Sequence, residues 1–213
     1  MKNLIFIYLF FYLFIVNAQQ IAVLKYQGGG DWYANPTALT NLINFTNSQT
    51  KTSIEKEPQT VSLNDNALFN YPIIFITGHG NIYFNEDDSE SLRNYLKSGG
   101  FLHISDNYGL DKYIRRELKK VFPTSELQEI PVNHPIYNQT FSFPKGLPKI
   151  HEHDKKQPQG FGIFHKGRLV LFYDYESDLN DGWEDPQVHN NPEKTREKAL
   201  KMGANIIEYA FKH

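Results

Sequence analysis

A chain of 213 residues with a formal net charge of −2 and no cysteine is long enough to build a proper core but carries no basic stripe for nucleic acid. Without cysteine it can form no disulfide, thiol nucleophile or thiolate metal site. The aromatic share, 15%, is high, and part of it falls in predicted loops at Trp32, Tyr33, Tyr83, Phe84, Tyr108 and Trp183. Such rings either offer a carbohydrate platform or close over a core.

Residues 1–18 read as a signal peptide. Lys2 supplies the positive start, residues 4–16 are an unbroken apolar run, and Val16-Asn17-Ala18 fits a small-residue cleavage site. The run is too short to span a bilayer. The expected mature chain, 19–213, is then a single exported domain without a transmembrane segment, in a bacterial periplasm or outside the cell. With no cysteine there is no lipid attachment site.

Residues 21–26 predict a first strand, followed by Gly28-Gly29-Gly30-Asp31-Trp32 and a helix from Pro36 with Asn35 as its cap. The glycines suit either an anion cradle or a tight turn under Trp32. They match neither the dinucleotide fingerprint nor the P-loop. Residues 53–63, with Pro58 inside, read as an edge strand or extended loop, and 65–71 as a short helix. The apolar, β-branched run Ile73–Ile76 predicts a strand buried on both faces. Glu86–Lys97 predicts a helix, with Asn85 or Ser89 to cap it and Gly99 past its end, and 101–104 a second buried strand. Strand, helix and strand make a parallel βαβ unit.

Both strands of that unit run into polar loops, and ligand sites in such sheets lie beyond the carboxyl ends of the strands. The expected ligand-binding residues are Gly78, His79, Gly80, Ser105, Asp106 and Asn107, with Asp31 and Trp32 from the first loop. Asp106 is expected just past the strand end, beside residues 78–80. Further on, residues 110–121 form an amphipathic helix, 125–149 an irregular Pro-rich stretch, and 161–164 with 168–173 a hairpin turned by 165–167. Residues 174–191 read as a polar, acid-rich loop and 192–211 as a long closing helix.

The chemistry-bearing residues are histidines and acids. His79 and Asp106 are the candidates for catalysis; Ser105 with His79 as base is a weaker arrangement, since no G-x-S-x-G is present. Asp106 equally suits a helix N-cap. No cofactor is expected, although on a strand His151 and His153 would point to one face and could meet one divalent metal. The preferred reading of 151–154 is a solvated His/acid loop, with the metal pair as its alternative. Asp174, Glu176 and His189, with His79 and Asp106, lie in loops that gather on the same edge in such a fold. His103, inside a strand, reads as a hydrogen-bonded core histidine.

Several stretches together resemble an exported bacterial family of unknown function, DUF4159. They are Gly29-Gly30-Asp31-Trp32-Tyr33, Ile76-Thr77-Gly78-His79-Gly80, Leu92-Arg93-x-Tyr95-Leu96-x-x-Gly99-Gly100-Phe101-Leu102, His134-Pro135-Ile136-Tyr137, Gly167-Arg168-Leu169 and the closing Gly203-Ala204-Asn205-Ile206-Ile207. The resemblance implies the class I glutamine-amidotransferase-like superfamily, a three-layer αβα, flavodoxin-like parallel sheet. It also implies an association of larger members with membrane-bound systems holding a MoxR-type ATPase. That superfamily keeps a nucleophilic cysteine after the Gly-Gly strand, where this chain has Ser105-Asp106-Asn107, and His189 and Glu193 lack the spacing of its His-x-Glu pair. Glutamine hydrolysis by that chemistry is excluded. The expected function is a non-catalytic module binding a small polar ligand, such as a carbohydrate, or a cell-envelope protein. The alternative is a metal- or carboxylate-dependent hydrolase acting on a sugar or cell-wall substrate.

Overall fold

The computed structural model of the protein describes residues 18–213; the predicted signal peptide, save Ala18, lies outside them. The chain runs through β1 (Ala22–Leu24), α1 (Ala38–Gln49), β2 (Gln59–Val61), β3 (Ile73–Ile76), α2 (Glu86–Lys97), β4 (Phe101–Ser105) and α3 (Asp111–Val121). It continues through β5 (Gln128–Glu129), β6 (Gln159–His165), β7 (Arg168–Tyr175), α4 (Leu179–Trp183), α5 (Pro186–His189) and α6 (Glu193–Lys212). The seven strands make one sheet in the order β2-β1-β3-β4-β7-β6-β5. The pairs from β2 through β1, β3 and β4 to β7 are parallel, and β6 and β5 add an antiparallel margin.

Side chains alternate across the central strands because successive residues of a strand face opposite sides. Ile74, Ile76, Leu102 and Ile104 pack under α2 and α3 with Leu92, Leu96, Ile114 and Leu118. Ile73, Phe75 and Phe101 face α1, α4 and α6 with Leu42, Trp183, Met202 and Ile206. Helices therefore cover both faces of a mostly parallel sheet, a three-layer α/β arrangement.

The βαβ unit follows its sequence signals closely. Asn85 and Asp88 close a capping box on α2, three acids fill its first turn and Lys97 its last. Three other expectations are corrected. Asn35 does not cap α1: it takes a left-handed conformation (φ 58°), and Thr37 is the N-cap residue, without a side-chain cap of its own. The carboxylate of Glu184 performs the capping instead, accepting the backbone N–H groups of Thr37 and Ala38 at 3.0 and 3.1 Å. The hairpin turns on Lys166 and Gly167 alone, both at positive φ, which suits the right-handed twist of its strands. Residues 174–191 are not a solvated loop: β7 extends to Tyr175, α4 and α5 follow, and Trp183 is fully buried with its indole N–H donating to the Ala199 carbonyl at 2.8 Å.

The His-Pro-Ile-Tyr and Gly-Arg-Leu stretches both serve the fold. His134 caps the short 3₁₀ turn Pro135–Tyr137, its Nδ1 accepting the Ile136 N–H at 3.2 Å. Arg168 donates to the carbonyls of Leu96, Gly99 and Gly100, holding the start of β7 against the end of α2.

Candidate functional site

Parallel pairing of β1, β3, β4 and β7 brings the loops after all four strands to one edge of the sheet. Asp106 follows β4 directly and the loop 78–80 follows β3, its parallel neighbour, as expected. The glycines of the first loop make close backbone approach possible. A Cβ on Gly30 would stand 2.6 Å from the His79 carbonyl, and one on Gly78, at φ +122°, 2.5 Å from the Tyr26 hydroxyl. The Gly30 N–H donates to the Asn81 carbonyl at 2.9 Å, so this glycine knits two loops together. Across that seam the His79 ring Nδ1 lies 3.0 Å from Asp31 Oδ2, and the His79 backbone N–H also donates to Asp31.

Ser105 is fully buried, and its hydroxyl donates to Asp174 Oδ1 at 3.0 Å. The other Asp174 oxygen lies 2.7 Å from His103 Nε2. Burial pushes the Asp174 carboxyl well above the usual range and the His103 imidazole down to about 3. With Ser105 bound to Asp174 and His79 bound to Asp31, the two are not paired with each other. Asp106 is also buried: one oxygen accepts the Leu110 N–H at 3.2 Å and the other the Tyr173 hydroxyl at 3.0 Å. Burial raises its pKa, and those two bonds pull the other way.

Asn107, Asn35 and Thr77 form a hydrogen-bonded row leading to an acid that sequence reasoning missed, Asp181. Thr77 and Asn107 both donate to Asn35 Oδ1, and Asn35 Nδ2 donates to Asp181 Oδ1 at 2.8 Å. On the far side of Asp181 the histidines gather. His151 Nδ1 stands 2.7 Å from Asp181 Oδ2 and His189 Nε2 stands 3.5 Å from Oδ1. His153 Nε2 approaches Asp178 Oδ2 to 2.7 Å, and its ring stacks on Tyr108 with centroids 4.7 Å apart. The 151–154 segment is a bend and not a strand, so His151 and His153 converge through loop geometry. Of the other residues expected there, His189 joins them, Glu176 pairs with Lys149 at 2.9 Å, and His79 stays with Asp31.

Charges in this cluster act strongly on one another. Hydrogen bonding to Asp181 draws the His151 pKa up against the effect of burial. Burial pushes the Asp181 carboxyl up, but His151 and His189 outweigh it and hold the group below the usual carboxylate range. Asp178 is pushed up to about 8 by burial and by the negative charges of Asp181 and Asp174. Asp178 also sits at φ 57°, a left-handed conformation that a non-glycine residue keeps only when its surroundings hold it there.

Beside the cluster lies a cavity of about 330 Å³ whose walls include Trp32, Tyr33, Pro58 and Thr77. Asn35 and Asn180 line it too, so the cavity and the Asp181 row share a wall. Asn180 is buried, and its Oδ1 has no hydrogen-bond partner among the described residues. One signal pointed to this missed segment: Leu179 and Trp183, four residues apart, are apolar positions on one helical turn.

No curated protein matches the chain significantly. The family profile for a domain of unknown function, DUF4159, matches residues 20–211. With nearly the whole described chain covered, this protein belongs to the DUF4159 family.

Proposed function

We propose that this protein is an exported, non-catalytic module of the class I glutamine-amidotransferase-like superfamily, in which the carboxyl edge of the sheet binds a small polar ligand of the carbohydrate class. The observation that carries this reading is the cavity beside Asn180. Its lining combines the aromatic residues Trp32 and Tyr33 with the polar residues Asn35, Thr77 and Asn180. A sugar presents apolar C–H faces to rings and hydroxyls to polar side chains, and such a lining offers both. The reading as a non-catalytic module rests on the missing thiol and on the internal partners of Ser105 and His79.

Titration of residues 19–213 with neutral oligosaccharides and muropeptides, followed by calorimetry or ligand-observed NMR, tests this reading. At least one ligand is expected to bind, and Trp32→Ala to weaken it at least tenfold. Silence across the panel, or unchanged binding by Trp32→Ala, would sink the carbohydrate reading. Export is tested separately by intact mass. A secreted chain beginning at Gln19 is expected, and one retaining residues 1–18 would refute it.

The second reading, a hydrolase acting on a sugar or cell-wall substrate, is favoured by the gathering of Asp178, Asp181 and three imidazoles at the same edge. The same titration separates the two. Chain shortening of the oligosaccharides, followed by mass spectrometry, marks a hydrolase; intact recovery marks a binding module.

A further inference from the structure

We propose that His151, His153 and Asp178 form a site for one divalent first-row metal ion of the Zn²⁺ class, supported by Asp181 and His189. This goes beyond the carbohydrate reading and does not depend on it. Three observations carry it.

The first is convergence. One donor atom from each of His151, His153 and Asp178 lies within 4.8 Å of the others, and the group His151, Asp181 and His189 meets the same limit. The two groups adjoin through His151, which is common to both. A tetrahedral Zn²⁺ holds nitrogen and oxygen ligands at about 2.0–2.2 Å, so modest side-chain rotation closes either group onto an ion.

The second is Asp178. It is fully buried, and neither carboxylate oxygen accepts a hydrogen bond among the described residues. The His153 nitrogen comes to 2.7 Å of Oδ2, within ion-pair distance. Among the described residues no lysine or arginine pairs with Asp178, whereas Glu176, two residues away, has Lys149 at 2.9 Å. A buried carboxyl group whose close partner is a single imidazole nitrogen is costly to ionise. A dication between Asp178 and the imidazoles supplies the missing partner.

The third is the support. Asp181 Oδ2 at 2.7 Å holds His151 Nδ1, the usual way in which a carboxylate orients an imidazole whose other nitrogen ligates a metal; Nε2 lies 3.0 Å from Asn191 Oδ1 and would exchange that partner for the ion. Asp181 is fixed in turn by Asn35 at 2.8 Å. Two imidazoles and one carboxylate are nitrogen and oxygen donors suited to Zn²⁺ and its neighbours, and they leave coordination positions open.

The test uses untagged protein comprising residues 19–213, stripped with a chelator and then given Zn²⁺ or Co²⁺ alone. Expected are one equivalent of metal retained through gel filtration, d–d absorption in the Co²⁺ form, and a rise in melting temperature that EDTA reverses. His153→Ala truncates a side chain that is 28% exposed, and Asp178→Asn keeps the shape of a carboxylate while removing its charge. Both are expected to keep the wild-type far-UV circular dichroism and to lose the Co²⁺ spectrum and the stabilisation. Asp181→Asn is expected to bind about 10–100-fold more weakly, as when an outer carboxylate is lost, and His189→Ala to keep one equivalent. Wild-type protein that retains no equivalent overturns the proposal. So does undiminished binding by folded His153→Ala or Asp178→Asn. Metal lost in His189→Ala but kept in His153→Ala moves the ion to the other group and overturns the assignment.

Discussion

The His103 ring packs between Phe75, Phe172 and Trp183, with centroids 5.4, 6.3 and 5.6 Å away. Burial lowers its pKa from 6.5 to about 3. Because the folded value lies below the unfolded one, the neutral ring contributes its stability in full above about pH 6.5 and loses it as pH falls toward 3. Asp174, whose carboxyl burial pushes up, works in the opposite sense, gaining stability as pH falls. A melting-temperature series from pH 7 to pH 4 is therefore expected to fall more steeply in wild type than in His103→Gln, which keeps a donor for Asp174 but cannot take up a proton. Parallel curves would mean that His103 does not resist protonation in the fold. Asp106 makes a second residue-scale test. In Asp106→Asn the amide oxygen still accepts the Leu110 N–H, and the amide nitrogen can donate to Tyr173, whose hydroxyl then turns to Asp111, already 3.0 Å away. That substitution is expected to cost under about 1 kcal/mol, whereas Asp106→Ala leaves a buried N–H unpaired, at about 1–3 kcal/mol. Chemical denaturation of both variants decides it, and equal losses would contradict the account.

Helix α1 depends on a residue far along the chain. The backbone N–H groups of its N-cap residue Thr37 and its first residue Ala38, with the Thr37 hydroxyl, all bind the Glu184 carboxylate, which is almost fully buried. Glu184→Ala is expected to lower stability by about 1–3 kcal/mol, above the roughly 1 kcal/mol of an ordinary exposed cap. Glu184→Gln, which keeps one acceptor, should fall between. Urea midpoints at unchanged m-value measure both, and a wild-type midpoint in Glu184→Ala would show that α1 does not need the carboxylate. The same contact explains what the sequence could and could not show. Strand β3, helix α2 with its Asn85 cap, and strand β4 declare themselves through neighbours in sequence, by runs, caps and glycines. The partners of Asn35 and Glu184 lie about 146 residues apart, and no local pattern encodes such a pairing. Helices α4 and α5 have five and four residues, too short for a period to register, and their acids read as solvated. Yet Asp178, Asn180, Asp181 and Glu184 are buried, so the segment taken for a polar loop supplies the acids of the candidate site. His151 and His153 were legible as a pair; what joins them is visible only in three dimensions.

At the scale of the whole molecule, the two helical layers share one sheet and have no independent means of support. Ile74 and Ile76 belong to the layer of α2 and α3, while Ile73 and Phe75 belong to the layer of α1, α4 and α6. Stripping either layer exposes one full face of β3 and β4, every residue of which is buried. At about 25 cal/mol for each Å² of apolar surface, such exposure quickly exceeds the net stability of a domain. Residues 19–213 are therefore expected to unfold in one transition. The two tryptophans allow the layers to be watched separately, because Trp183 sits in the α1/α4/α6 core and Trp32 packs against the α2/α3 core. Trp32→Phe leaves Trp183 as the sole indole. Its fluorescence should then change at the same denaturant concentration as the far-UV circular dichroism, with the Trp32 signal of wild type following the same curve. A Trp183 transition completed while most of the helical signal remains would show that the α4–α6 layer opens by itself. The candidate metal cluster, carried by α4 and the loops beside it, would then belong to a mobile element and not to the rigid edge of the sheet.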